Sequence, residues 1–172
     1  APRRSCKNRL SLSKRMGIGL DGRRMNQELR TLPMTLLTDE HAIEFFRRSY
    51  TAVDGLWFMR AEAQRGFDAA LDLDAEVWVV MPKIQARMLK EMTGQREGLA
   101  ALEACFTTKL RWEGFTFQSR LDEANGLLEI TIEECLWLKL MLKAGRGYLA
   151  DKIGPRICAG EYAAWAAEFG EG

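Results

Sequence analysis

The chain has 172 residues, 47% apolar and 28% charged, with a net charge of +1. That is long enough for one domain with its own core, in the balance of a globular protein. No window approaches the roughly 18 uninterrupted apolar residues of a membrane span. The N-terminus is charged but lacks the apolar stretch of a secretory signal, so neither a membrane partner nor secretion is expected.

The first 33 residues stand apart. They carry nine Lys/Arg against only Asp21 and Glu28, whereas the rest of the chain is acidic. They have no sustained apolar period, which predicts a disordered basic N-terminal extension, 1–33, ahead of a single domain, 34–172. Such an extension could be a nucleic-acid arm, an organellar transit peptide, or a stretch upstream of a natural start at Met16, Met25 or Met34. The third reading is favoured, so nucleic acid is not an expected partner.

Thr38 is a candidate N-cap, followed by Asp39 and Glu40 in a first turn where the helix dipole favours acids. Ile43, Phe46, Tyr50, Val53 and Trp57 recur at threes and fours, one face of a long helix ending near Gly66. A second helix spans about 68–93, with the stripe Leu73, Val77, Val80, Ile84 and Met88. Pro82 inside it predicts a kink or two shorter segments. Asp72, Glu76, Lys83, Arg87 and Lys90 share its other face, as a self-paired solvated surface would. A third helix, about 98–111, turns Leu99, Leu102, Phe106 and Leu110 inward, with Cys105 packed beside them.

The period then changes to two. Phe115, Phe117 and Leu121 alternate with polar residues, as do Leu128, Ile130 and Ile132, around Asn125-Gly126. A two-residue turn there predicts Leu121 opposite Ile130, Phe117 opposite Glu134 and Thr116 opposite Cys135. That register puts Glu134 on an apolar face, where it needs a partner. The fold class is therefore α+β: three N-terminal helices, an antiparallel hairpin or small sheet on which they pack, and short C-terminal helices. Residues 137–142 read as a short helix or more strand; a lone hairpin is marginal, so a further strand from 136–142 or a homodimer that continues the sheet is expected. Gly154-Pro155 predicts a break, with the last helix starting near Ala159 or Gly160 and burying Tyr162, Trp165 and Phe169.

Four cysteines, Cys6, Cys105, Cys135 and Cys158, form no C-x-x-C. They read as free thiols of a cytoplasmic protein. The single histidine, His41, excludes His-rich metal sites and is expected to be an exposed helix residue. No phosphate-binding glycine loop is present. Asp54 and Glu62, flanking Phe58, interrupt an aromatic-rich helix. Cys158 at a helix start would either have a lowered pKa, with Glu161 close enough to take a proton, or be a buried, inert thiol that packs the helix start, the reading favoured from sequence alone. Cys135 at a strand end and Cys158 at a helix start are expected to converge on a pocket, with Glu134 and Glu161 in it and Trp137 and Trp165 shielding it.

The stretches DGLWFMRAEAQRGFDAALDLDAEVW, KIQARMLKEMTG and ECLWLKLMLKAGRGYLADKIGPRICAGEYAAWAAEFG resemble a family of uncharacterised bacterial and archaeal cytosolic proteins. More distantly, they are similar to the L-2-amino-thiazoline-4-carboxylic acid hydrolases. The likeness covers roughly 39–170. It carries over Trp57, Glu62, Gly66, Asp74, Trp78, Arg87, Cys135, Trp137, Gly145, Cys158, Glu161 and Trp165. Where the family reads Cys-Pro-Trp, this chain has Cys135-Leu136-Trp137.

The resemblance implies a small-molecule hydrolase of C–N or C–S bonds. Cys158 and Cys135 would be the reacting thiols and Glu161 or Glu134 the proton carrier. Arg87 would hold a substrate carboxylate, with Glu62, Trp57 and Trp137 lining the site. The alternative is a non-catalytic binding or sensor protein in which Cys135 and Cys158 hold a cofactor or a metal such as zinc or iron.

Overall fold

A computed structural model describes residues 38–170. Contacts divide the chain into two units, 1–38 and 39–172, and every described helix and strand belongs to the second. The basic extension, with Cys6, lies outside the described residues. Among the described residues, five α-helices and one hairpin run in the order α1 (Asp39–Arg65), α2 (Phe67–Thr93), α3 (Leu99–Glu113), β1 (Thr116–Asp122), β2 (Leu127–Glu134), α4 (Leu136–Lys143) and α5 (Ala150–Glu168). The protein is α+β, as the change of period predicts. Among the described residues, no helix is long and apolar enough to cross a membrane.

Gly66, at φ 85°, lets α1 turn into α2 through a single residue. Gly94, in the left-handed conformation, ends α2. α2 runs as one helix through Pro82, whose ring is buried, rather than as two segments. The core is built from α2, α3 and α5: Ala86, Leu89, Ala101, Cys105, Phe106, Leu110, Trp165 and Phe169. Phe115, Phe117, Ile130 and Ile132 of the hairpin face pack against it. The long apolar stripes of α1 and α2 do not join this core. Phe46, Val53 and Trp57 on α1, and Val77, Val80, Ile84 and Met88 on α2, are largely exposed.

The charged face of α2 is paired across elements rather than with itself. Arg87 forms a bidentate pair with Glu168 at 2.9 and 2.7 Å, Asp72 meets Arg156 at 2.5 Å, and Lys90 reaches the Glu168 carbonyl at 2.7 Å. All three contacts tie α2 to α5.

The hairpin register differs by two residues from that of a tight Asn-Gly turn. Leu121 pairs with Leu128, Ser119 with Ile130 and Phe117 with Ile132, and an irregularity between Phe117 and Thr116 brings Thr116 opposite Glu134. The cause is Asp122. Its carboxylate accepts the Asn125 backbone N–H at 3.2 Å and the side-chain amide at 2.8 Å. These bonds fold Glu123–Asn125 into a 3₁₀ turn closed by left-handed Gly126. A shift of two keeps every side chain on its expected face. The irregularity releases Glu134 from that face.

The C-terminal part departs further. Residues Leu136–Lys143 are helix, so no third strand forms and the described sheet has two strands. Gly154-Pro155 does not break the chain. α5 already begins at Ala150 and carries Pro155 in its second turn. Cys158 therefore lies mid-helix, not at a helix start.

Candidate functional site

A cavity of about 1070 Å³ lies among α1, α2, α3, α4 and α5. One wall is aromatic. Trp137 meets Tyr50 edge-on at 6.1 Å and Trp78 at 5.8 Å between ring centroids. α4 places Trp137 there because Cys135 caps that helix, its Sγ accepting the Leu138 N–H at 3.5 Å. The Tyr50 hydroxyl is buried beside Gln85 without a well-formed hydrogen bond among the described residues. Burial, then the charges of Glu113 and Asp54, push its ionisation far up.

Two carboxyls, Asp54 of α1 and Asp74 of α2, line the cavity together with Trp78. Burial raises both. The negative charge of Asp54 raises Asp74 further, to about 7, while the Trp78 indole N–H pulls each back in part. A pair of carboxyls with separated ionisations, one near neutrality, is the arrangement that acid–base chemistry uses.

Lys109 of α3 is the third charged element. It is 4% exposed and forms ion pairs with Glu113, at 2.8 Å, and with Glu161 of α5. Burial opposes its charge, but Glu161 and Glu113 outweigh burial and hold it protonated. Burial in turn raises Glu113, against the pull of Lys109. Arg146 closes one rim through a two-pronged pair with Glu62 at 2.8 and 2.6 Å.

The two cysteines do meet at one cavity: Cys135 and Cys158 both line it. Cys158 is the packed thiol of the two expected alternatives, not the activated one. The thiol at a helix N-terminus is Cys135, whereas burial, then Glu161 and Cys135, push the Cys158 thiol up. Tyr162 stands beside Cys158 and is itself raised by burial and by that thiol. Among the described residues, no three His, Cys, Asp or Glu side chains are grouped to hold a metal ion.

Other expected site residues lie elsewhere. Glu134 is exposed, bonded to Thr116 at 2.8 Å and Lys139 at 2.6 Å, and these partners lower its pKa. Its expected place in the pocket depends on a register that the hairpin does not adopt. Arg87 is engaged by Glu168 and does not line the cavity, and Trp57 is 62% exposed. Trp165 is a core residue stacked on Phe169, not a cavity wall. Glu62 touches the site only through Arg146. His41 is exposed in the first turn of α1.

A family model described as a family of unknown function, DUF6125, matches residues 36–144. The chain belongs to DUF6125. The DUF6125 match takes in α1 to α4, and with them Asp54, Asp74, Lys109, Cys135 and Trp137; Cys158, Glu161 and Tyr162 come from α5. No curated protein and no solved structure matches the chain.

Sequence reasoning misses Lys109 and the Asp54–Asp74 pairing, though signals for both exist. Asp74 falls between Leu71 and Trp78 at threes and fours, on the buried face of α2. Lys109 sits beside Leu110 and three residues after Phe106, and Glu113 follows it at i+4.

Proposed function

We propose that this cavity binds a small organic molecule and hydrolyses a C–N or C–S bond in it, with the Asp54–Asp74 pair moving the protons. The observation that carries the reading is the constellation itself: two carboxyls from different helices, lining one cavity with Trp78, one of them raised to about 7. Asp54, the lower of the two, takes a proton from water as the water oxygen bonds to the electrophilic carbon. Asp74, protonated near neutral pH, gives its proton to the departing nitrogen or sulfur. Proton return from Asp54 to Asp74 resets the pair, and the net reaction consumes one water. The bond class rests on the resemblance to the thiazoline-carboxylate hydrolases. Cys158, with its raised pKa, is a wall residue in this scheme rather than the attacking group.

The test has two arms. Turnover of 2-amino-thiazoline-4-carboxylate is expected to fall about 10²- to 10⁴-fold in Asp74→Asn. Carbon-13 NMR of the aspartate carboxyls should place Asp74 near pH 7 and move it down in Asp54→Asn. An Asp74 that titrates with ordinary aspartates removes the acid and the proposal with it.

One observation favours a second reading, a non-catalytic binding or sensor protein: Cys135 and Cys158 line the same cavity, close enough for Cys135 to contribute to the raised pKa of Cys158. In that case ligand or metal retention is lost in Cys135→Ser and in Cys158→Ser, while Asp74→Asn leaves it intact.

A further inference from the structure

The α1–α2 pair has two sides. Polar residues of α1 such as Arg47, Thr51 and Asp54 line the cavity, and the charged face of α2 turns towards α5. The remaining side carries the two apolar stripes. Contacts between Tyr50 and Gln85, Asp54 and Trp78, and Phe58 and Phe67 set an antiparallel register. That register puts Val53 level with Val80, and Phe46 level with Met88.

The stripes are exposed: Phe46 69%, Val53 63%, Trp57 62%, Val80 53% and Ile84 47%. With Phe45, Val77, Met88 and Met92 also open, and about 100 Å² per large side chain, the face amounts to roughly 900 Å². The largest apolar patch on a monomer is about 300–600 Å², while a stable interface buries about 800 Å² per partner.

We infer that this face docks a second copy of the same chain, with α1 and α2 of each protomer forming a four-helix layer about a twofold axis. The area is that of one partner in a standard dimer. From Phe46 to Trp57 on α1, and from Val77 to Met88 on α2, the stripes carry no charge. Their complement is therefore an equally uncharged apolar helix pair, which the same face of a second copy supplies. Spacing at threes and fours on both helices suits ridge-into-groove packing. The cavity lies on the opposite side of the pair and stays open in such a dimer.

Light scattering after size-exclusion chromatography of the full chain at micromolar concentration should give twice the 19.6 kDa of one chain. The double variant Val80→Glu/Ile84→Glu, and independently Val53→Glu on α1, should weaken association at least 100-fold and run as monomers. Their far-ultraviolet circular dichroism should be unchanged, because these side chains lie outside the core. A wild-type chain of single mass overturns the inference, including one whose own N-terminal residues cover the face. So do well-folded glutamate variants that remain dimeric.

Discussion

Asp74 makes stability depend on pH in an unusual direction. Its folded-state pKa, about 7, lies above the ordinary carboxylate value of 3.8. Between those values the folded protein keeps the proton that the unfolded chain has released. The contribution is therefore complete below about pH 4 and is lost as pH rises through 7. Urea unfolding of Asp74→Asn should lack this loss and exceed wild type at pH 8 by about 1–2 kcal/mol, with the partial solvation of the group discounted. Lys109 acts in the opposite sense. Removing its charge in Lys109→Met leaves Glu113 and Glu161 facing each other in the interior, so the expected cost is about 3–5 kcal/mol at neutral pH. The loss should shrink in acid, where the carboxyls can protonate. Cys158 should alkylate more slowly at pH 7 than a free thiol, and mass spectrometry of iodoacetamide-treated protein measures this directly. A Cys158 faster than glutathione would contradict its buried setting.

At the level of elements, Gly114 fixes how the hairpin leaves α3. It sits at φ 85°, and its N–H caps the Arg111 carbonyl. A β-carbon there would meet the Arg47 guanidinium at 2.5 Å. Gly114→Ala should cost about 1–2 kcal/mol from the left-handed backbone alone. It should also displace Arg47 from the cavity wall, visible as altered ligand binding. The three long helices, the hairpin faces and Gly94 as a stop were legible because periodicity and glycine act locally. What escaped was set by competition. Asp122 drew the turn into a 3₁₀ loop instead of an Asn-Gly hairpin. Pro155 reads as a helix breaker, yet α5 runs from Ala150 straight through it. The convergence of Cys135 and Cys158 could be read from punctuation, but which thiol caps a helix could not, because that depends on where α4 and α5 start. Stripe periodicity likewise identifies an apolar face without saying whether its cover comes from the same chain.

Across the whole molecule, the strongest long-range packing joins α2 to α5, elements about eighty residues apart. Trp165 and Phe169 are 1% and 2% exposed and complete a core whose other members, from Ala86 to Leu110, come much earlier. Opposing faces of the α1–α2 pair carry the cavity and the apolar stripes, so the Val80→Glu/Ile84→Glu variant should leave the Asp74 titration midpoint in place. The position of Trp165 and Phe169 also bears on how the chain is made. During synthesis, at about 5–20 residues per second, α1, α2 and α3 emerge before the residues that cover Leu89, Phe106 and Leu110. A nascent chain halted after Lys143 would hold these side chains open together with the apolar stripes. Such a chain should bind holdase chaperones and resist release until α5 has left the ribosome, which makes the last helix the element that times folding.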